Sequence, residues 1–572
     1  MTGKPFSHSP RRDNPAWRLL MASLALLLVA RVGLGAEGTP AAATERFSVM
    51  TWNIWQGGRA DDPVGGPARI GQLIRSLAPD VVAVQETYGS AATLAAETGF
   101  QCLARGTNVS ILSRYPILED ISVDDPFRCV GALIALPDGS RAAVYSIWLP
   151  YAEDIWLPGS RDGKTFEELA KACEPSAIAI DRIEAAIRER LSGDRYAGVP
   201  IFLAGDMNAP SHLDYAEVSV DQHRIVAPWR TTLLLAERGW RDAEREGLSR
   251  VDRAKDRTWS PRFPEQEQDR IDMIHYRDER SDRPFRSHFV MRVERFGAEG
   301  DTTPFPSDHA PVFVGFRRTE VIQSSAAIKV VTANIRHGRG MDDRVDLERV
   351  AARLNALDAD VIALQEVDLG VARSGSENQA ARLASRLARR PAFGAFMPLG
   401  DGRYGCAILT RHPIVATRSL RLPEGNEPRV ALEVDMRLPD DTIVTIVNVH
   451  FDWVDDDRFR YAQAERVIER LRELQASGRI GVFLGDFNDD TASRTLALAR
   501  TVAEEARKPA EARATYPAPE PTEEIDYIFA WPIGGWVAED VRVVDERVAS
   551  DHRPVVATLR RVTPALPIPS TN

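Results

Sequence analysis

Only four cysteines occur among the 572 residues, too few for a disulfide framework. Cys102, Cys129 and Cys173 lie in the first half and Cys406 in the second, so pairing within halves leaves a thiol over. Cys406, in the strand-like run GCAILT, reads as a small buried hydrophobe. A positive charge excess is also missing. The net charge of −11 disfavours a non-specific grip on polyphosphate, while leaving room for a local basic groove. The N-terminal apolar run from Leu19 to Ala30 is too short to cross a bilayer, which takes about 20 apolar residues. Arg11, Arg12 and Arg18 precede it, Arg31 closes it, and Gly33, Gly35, Ala36 and Ala41–Ala43 offer small-residue cleavage sites. This pattern predicts a secretory signal peptide over residues 1–36 and a secreted or periplasmic protein, with an uncleaved anchor as the alternative. No membrane span would remain after cleavage.

What is present is a sequence written twice. TWNIW at Thr51–Trp55 is followed by VQE at Val84–Glu86, AGDMN at Ala204–Asn208, RIDMI at Arg270–Ile274 and SDHAPV at Ser307–Val312. From Thr332 the order returns as TANIR, LQE at Leu364–Glu366, LGDFN at Leu484–Asn488, EIDYI at Glu524–Ile528 and SDHRPV at Ser550–Val555. A repeat this long is a duplicated domain, each copy large enough to bury its own core. The repeated polar residues are Asn, Glu, Asp and His, which suit hard cations and phosphate chemistry better than core packing.

Each copy alternates strand-like runs with amphipathic helices. FSVMTW and VVAVQE flank a helical stretch near Ile70–Leu77, and VYSIWL and PIFLAGDMN flank one near Ile178–Leu191. The counterparts in the second copy are helices near Leu347–Leu354 and Ala462–Leu474. Sheets with helices outside them predict a layered domain, with the motif residues at strand ends. The boundaries are 45–318 and 327–562, joined by the polar segment Thr319–Ala327, with a Pro-rich tail after Arg561. Between Trp148 and Asp206 the first copy spends 58 positions where the second spends 36 from His450 to Asp486. The surplus includes YAEDIWLPGSRDGKTFEEL, whose Trp156 and Phe166 either line a substrate cleft or belong to a surface insertion that packs its own aromatics.

Five motifs in one order, twice, resemble the endonuclease/exonuclease/phosphatase superfamily, whose fold is that of deoxyribonuclease I. The resemblance covers nearly all of both copies. It implies an α+β fold of two tandem four-layered αββα sandwiches, and metal-dependent hydrolysis of phosphate esters, usually with Mg²⁺, Mn²⁺ and Ca²⁺ being the alternatives. In the second copy it implies Glu366 as the anchoring metal carboxylate, with Asn334 beside it and Asp551 as a further ligand. Asp486 would orient or deprotonate the attacking water, and Asn488 would hold a phosphate oxygen. Asp526 and His552 match the family's Asp–His pair, and His450 in NVHFD matches the histidine that contacts phosphate and assists the leaving group. A few carboxylates and several waters suit Mg²⁺, and such a site needs an oriented water and a stabilised leaving oxygen.

The first copy keeps Asn53, Glu86 and Asp308 for metal, and Asp206, Asn208, Asp272 and His309 for catalysis. It departs at Trp148 and Ser146, which align with His450 and Asn448, and at Thr107, which aligns with Tyr404. Indole donates a hydrogen bond but transfers no proton. The first copy is therefore expected to be impaired or altered, the alternative being a binding module that holds a phosphorylated ligand for the second. A calcineurin-like metallophosphoesterase is excluded, because its dense His/Asp cluster with a GNHE-type motif is missing. The expected substrate is a phosphodiester, with nucleic acid ranked ahead of a phospholipid or small phosphodiester. Asp452 and Asp455–Asp457, just after His450, are expected to repel a long polyanion.

Overall fold

The computed structural model describes residues 46–216, 219, 225–247, 256–278, 284–292, 304–318 and 327–562. The expected signal peptide, all of the linker but Ala327, and the tail beyond Val562 lie outside the described residues.

Among the described residues, apolar runs build four six-stranded sheets, two per copy. In the first sheet of domain 1 the order is Phe285–Arg292, Val312–Arg318, Arg46–Asn53, Val81–Gln85, Ser110–Ser113 and Gln101–Ala104. The second sheet runs Ile117–Asp120, Cys129–Ala135, Arg141–Trp148, Ile201–Asp206, Asp272–Arg277 and Arg241–Asp242. Domain 2 repeats both orders, its first sheet centred on Ala327–Asn334 and Val361–Leu369, its second on Ile443–His450 and Ile480–Asp486.

Strand periodicity explains the layering. Val330 and Val361 face the core between the two sheets, together with Leu432, Ile446, Val482 and Ile528. Their neighbours Val331 and Ile362 face the opposite way, under the helices. A strand buried on both faces must be apolar at every position, which is how these segments read. Leu347, Val350, Ala351 and Leu354 form the buried stripe of helix Leu347–Ala356, started by the Asp346 carboxylate, which accepts the Arg349 N–H at 2.9 Å. Helix Arg458–Ala476 covers the second sheet through Val467, Ile468 and Leu471. Domain 1 has the same three apolar layers, so each domain is a helix–sheet–sheet–helix sandwich.

The insertion of domain 1 packs on itself. Trp156 is buried beside Trp229, Tyr215, Leu169 and Cys173, and its indole N–H donates to Asp269 at 2.8 Å. Helix Phe166–Ala172 is started by a reciprocal capping box between Thr165 and Glu168. Of the two readings of this segment, self-packing describes Trp156. All four cysteines are free thiols, three of them buried.

The two domains touch through charged and backbone contacts. Asp441 of domain 2 pairs with both Arg241 and Arg286 of domain 1, and the His212 ring meets the Val415 carbonyl at 3.1 Å. Arg241 is almost fully buried, and removing Asp441 takes one of its two carboxylate partners, leaving Glu246. Asp441→Ala is expected to cost roughly 1.5–3 kcal/mol, read as a lower urea midpoint in the full-length protein. An unchanged midpoint would show that this pair contributes nothing.

Candidate active site

In each domain the motif residues converge because their strands end on one edge. In domain 2, His450, Asp486 and Asp526 end or begin adjacent strands in direct register. Asn334 ends the neighbouring sheet's central strand, parallel to the strand that carries Gln365 and Glu366. Its amide nitrogen bridges the two sheets, donating to Glu366 Oε1 and to Asp486 Oδ2, both at 3.1 Å. Domain 1 reproduces this bridge, with Asn53 donating to Glu86 Oε1 and Asp206 Oδ2 at 3.1 Å each.

Several of these residues sit in backbone conformations that L-residues avoid. Glu86 and Glu366 have φ of 54° and 57°, and Asn208 and Asn488 have 43° and 48°. Left-handed non-glycine residues cost energy and persist where the surroundings over-determine them. Gly485 explains the glycine of the GDFN motif: at φ 150°, an added Cβ would meet the Val449 carbonyl oxygen at 2.0 Å. Gly485→Ala is expected to lower the melting temperature and, by pushing Asp486 out of register, the activity with it. A Gly485→Ala protein with unchanged melting and turnover would show that the strand pair yields freely.

The Asp–His pair is formed in both copies. His552 Nδ1 lies 2.9 Å from Asp526 Oδ2, and His309 Nδ1 lies 2.8 Å from Asp272 Oδ2. Burial opposes charge on His552, but Asp526 and Asp486 outweigh it and raise the imidazole to about 10. Burial, with Asp526 adding to it, holds Asp486 protonated more easily than an ordinary aspartate, against the pull of His552. An aromatic ring leans on each histidine: Tyr516 at 5.1 Å from His552 and Trp259 at 4.9 Å from His309.

His450 differs from His552. Burial, then the charges of Arg429 and His552, push its imidazole far down, so it stays neutral. Its Nε2 lies 3.5 Å from Asp486 Oδ2 and its Nδ1 3.5 Å from the Arg429 guanidinium. Asn488 donates from its backbone to Asp486 Oδ1 at 3.0 Å and from its side chain to the Phe451 carbonyl at 3.0 Å. Asn208 uses the same contacts in domain 1, with its side chain also 3.2 Å from Asp206 Oδ2. Asp551 is half-buried and paired with Arg336, Nε to Oδ2 at 3.4 Å. Its counterpart Asp308 is buried without such an arginine, and burial, aided by Glu86, raises it to about 6.

The donor set suits a hard divalent cation. Asp486, Asp526 and His552, like Asp206, Asp272 and His309, bring polar atoms within 4.8 Å of one another. Both histidines are held protonated, which leaves the carboxylates, with Asp526 Oδ1 and Asp272 Oδ1 buried without a hydrogen-bond partner, as the cation-attracting groups. Oxygen-rich ligands with excess negative charge are what such cations require.

A cleft of about 830 Å³ opens over the domain 2 residues, lined by Glu366, His450, Asp486, Asn488, Asp551 and His552. Arg429, Arg460 and Arg513 also line it. Sequence reasoning missed Arg429, which is 1% exposed and stacks on Phe396 at 5.0 Å. No motif marks it, because an arginine at a strand end is unremarkable until the fold sets it against His450. The acidic run itself contributes little to the cleft, whose further carboxylates come from Glu427, Asp489, Asp490, Glu523 and Glu524. Asp452 is fully buried and accepts the Asn426 N–H at 2.6 Å, while Asp457 pairs with Arg494 and Asp456 with Arg458. Only Asp455 of that run faces the cleft.

The sequence model of the endonuclease/exonuclease/phosphatase family matches residues 50–309 and again 331–552. This chain belongs to that family. Its members hydrolyse phosphoester bonds and typically need a metal ion. An uncharacterized protein of Caenorhabditis elegans is 29% identical over 293 residues, spanning 47% of this chain and 90% of its own. Among solved structures, a family member from Beutenbergia cavernae is 24% identical, covering 41% of this chain and 72% of its own at a TM-score of 0.34. A mannosyl-6-phosphatase from Bacteroides thetaiotaomicron is 18% identical, over 41% of this chain and 99% of its own, at a TM-score of 0.36.

Proposed function

We propose that this family member is an exported, Mg²⁺-dependent phosphodiesterase whose principal site is the domain 2 cleft, with nucleic acid as its first-ranked substrate. The observation that carries the reading is the register of His450, Asp486 and Asp526 across three adjacent strands, beside a cleft that His552 and Glu366 also line. The leader-like sequence before Arg31 is the ground for export.

The residues divide the work. Glu366 and Asp551, with Asn334 beside them, would hold the cation, which when bound polarises the phosphoryl oxygens. Asn334 also fixes the distance between Glu366 and Asp486. Asp486, anchored by the Asn488 N–H, orients the water and takes its proton. His552, kept as an imidazolium by Asp526, presents its Nε2–H to the charge that develops on phosphorus-bound oxygen. Neutral His450 donates from Nε2, because its Nδ1 faces Arg429. Arg429, Arg460 and Arg513 reach the cleft paired with its Glu427, Asp489 and Glu524, so a bound cation would be needed to draw an anionic substrate into it.

The test is an assay of the purified protein with Mg²⁺ against plasmid DNA, RNA, sphingomyelin and bis-p-nitrophenyl phosphate. Cleavage of nucleic acid ahead of sphingomyelin is the expected result. Turnover of sphingomyelin alone would replace the substrate ranking, and turnover of none would sink the reading.

A further inference from the structure

Three positions around the shared Asn–Glu–Asp–Asp–His frame change together between the domains. Arg336, the second residue after Asn334, reaches Asp551; at the matching place after Asn53 stands Trp55, half-buried, with the Phe263 ring edge-on at 6.0 Å. His450, in register with Asp486, corresponds to Trp148, in register with Asp206. Val449 pairs with Ala431 and Ile147 with Cys129, so the register position of Arg429 is held in domain 1 by Phe127. Arg429 contacts His450, and Phe127 packs edge-on against Trp148 at 5.9 Å. Two arginines and a histidine have become three aromatic rings, while every carboxylate and the Asp272–His309 pair is retained.

Further rings extend this wall. Tyr88, two residues beyond Glu86, is 42% exposed, and Tyr151 is 43% exposed. Tyr151 follows the segment at Leu149 that is hydrogen-bonded to both Asp206 and Asn208, and its ring is braced edge-on by the buried Trp156 at 6.1 Å. Burial, then the charges of Asp154, Asp206, Glu86 and Asp308, push its hydroxyl up. Phe127 is 37% exposed, so the rim is apolar and open rather than closed into the core.

We infer that domain 1 is a second hydrolytic site, selective for a phosphoester whose leaving group is flat and apolar, such as an aryl phosphodiester. This inference rests on the phosphoesterase reading of the family frame. Flat apolar groups gain contact area and edge-to-face interactions against Trp55, Phe127 and Tyr151, while the Arg262 guanidinium, 5.4 Å over Trp55, is already paired with Asp61. The chemistry matches the missing histidine. Water, giving its proton to Asp206, forms the new P–O bond; the P–O bond to the leaving oxygen breaks, and the group departs as an aryloxide that needs no proton at neutral pH. Trp148 therefore costs such a substrate little. A leaving alkoxide, as from nucleic acid, does need a proton and is disfavoured.

The experiment uses the full-length protein with Mg²⁺ and two substrates, bis-p-nitrophenyl phosphate and plasmid DNA. Silencing domain 2 with Asp486→Asn, or independently with His552→Ala, should lower DNA cleavage at least 100-fold while leaving more than a third of the aryl turnover. Silencing domain 1 with Asp206→Asn should do the reverse. In the domain 2-silenced protein, Trp55→Ala and Phe127→Ala should each raise KM for the aryl substrate several-fold with kcat changed less than twofold. If silencing domain 2 abolishes both activities, domain 1 is a binding module or scaffold and the inference is overturned, though the phosphoesterase reading stands. Unchanged KM in both aromatic variants overturns the aryl selectivity. If the unaltered protein hydrolyses neither substrate, the phosphoesterase reading itself fails.

Discussion

His552→Ala and Asp486→Asn are expected to lower nucleic acid turnover by about 10²–10⁴-fold each, with KM changed far less. Both residues sit at one point: His552 Nε2 is 3.7 Å and His450 Nε2 is 3.5 Å from Asp486 Oδ2. Because they act on one transition state, the double variant should be little worse than either single one. The matched changes His309→Ala and Asp206→Asn should cost nucleic acid cleavage less than about tenfold, since Trp148 already leaves that site without a second imidazole. Steady-state kinetics on DNA decides the matter. Loss confined to the domain 1 variants would invert the assignment of the principal site, and equal loss from both pairs would mean that each domain cleaves nucleic acid.

Dialysis against EDTA is expected to abolish activity, and Mg²⁺ to restore it. The same treatment should lower the melting temperature, because a cation bound only to the folded state stabilises it, by about 2.7 kcal/mol at one hundred times its Kd. The reason lies in charge. Glu366, Asp486 and Asp551 line one cleft with two histidines, one of which stays neutral, and Asp526, beside Asp486, has a buried Oδ1 without a partner. Calorimetry with and without Mg²⁺, beside the activity assay, checks both parts. Full turnover after exhaustive chelation would end the metal mechanism, and an unchanged melting point would show that no cation neutralises this cluster.

Much of this protein was legible in its sequence, for a physical reason. Strands buried on both faces must be apolar throughout, so polar residues at their ends stand out, and duplication exposes each motif twice. Asn334, Glu366, Asp486, Asp526 and His552, with their partners in the first copy, could be singled out on that ground alone. The family and the layered fold followed from their order.

What the tertiary structure decided is everything that depends on which strands lie side by side. Only the sheet order puts Arg429 against His450 and Phe127 against Trp148, pairs about 20 residues apart with no motif around them. Only packing showed that Asp452 is a buried backbone acceptor rather than a repelling surface charge, and that Trp156 belongs to the insertion's own core. Sequence determined the repeated polar frame, because phosphate and cation chemistry calls for particular residue types. Contacts across strands and loops decided how each copy of that frame is lined, and no local pattern encodes them.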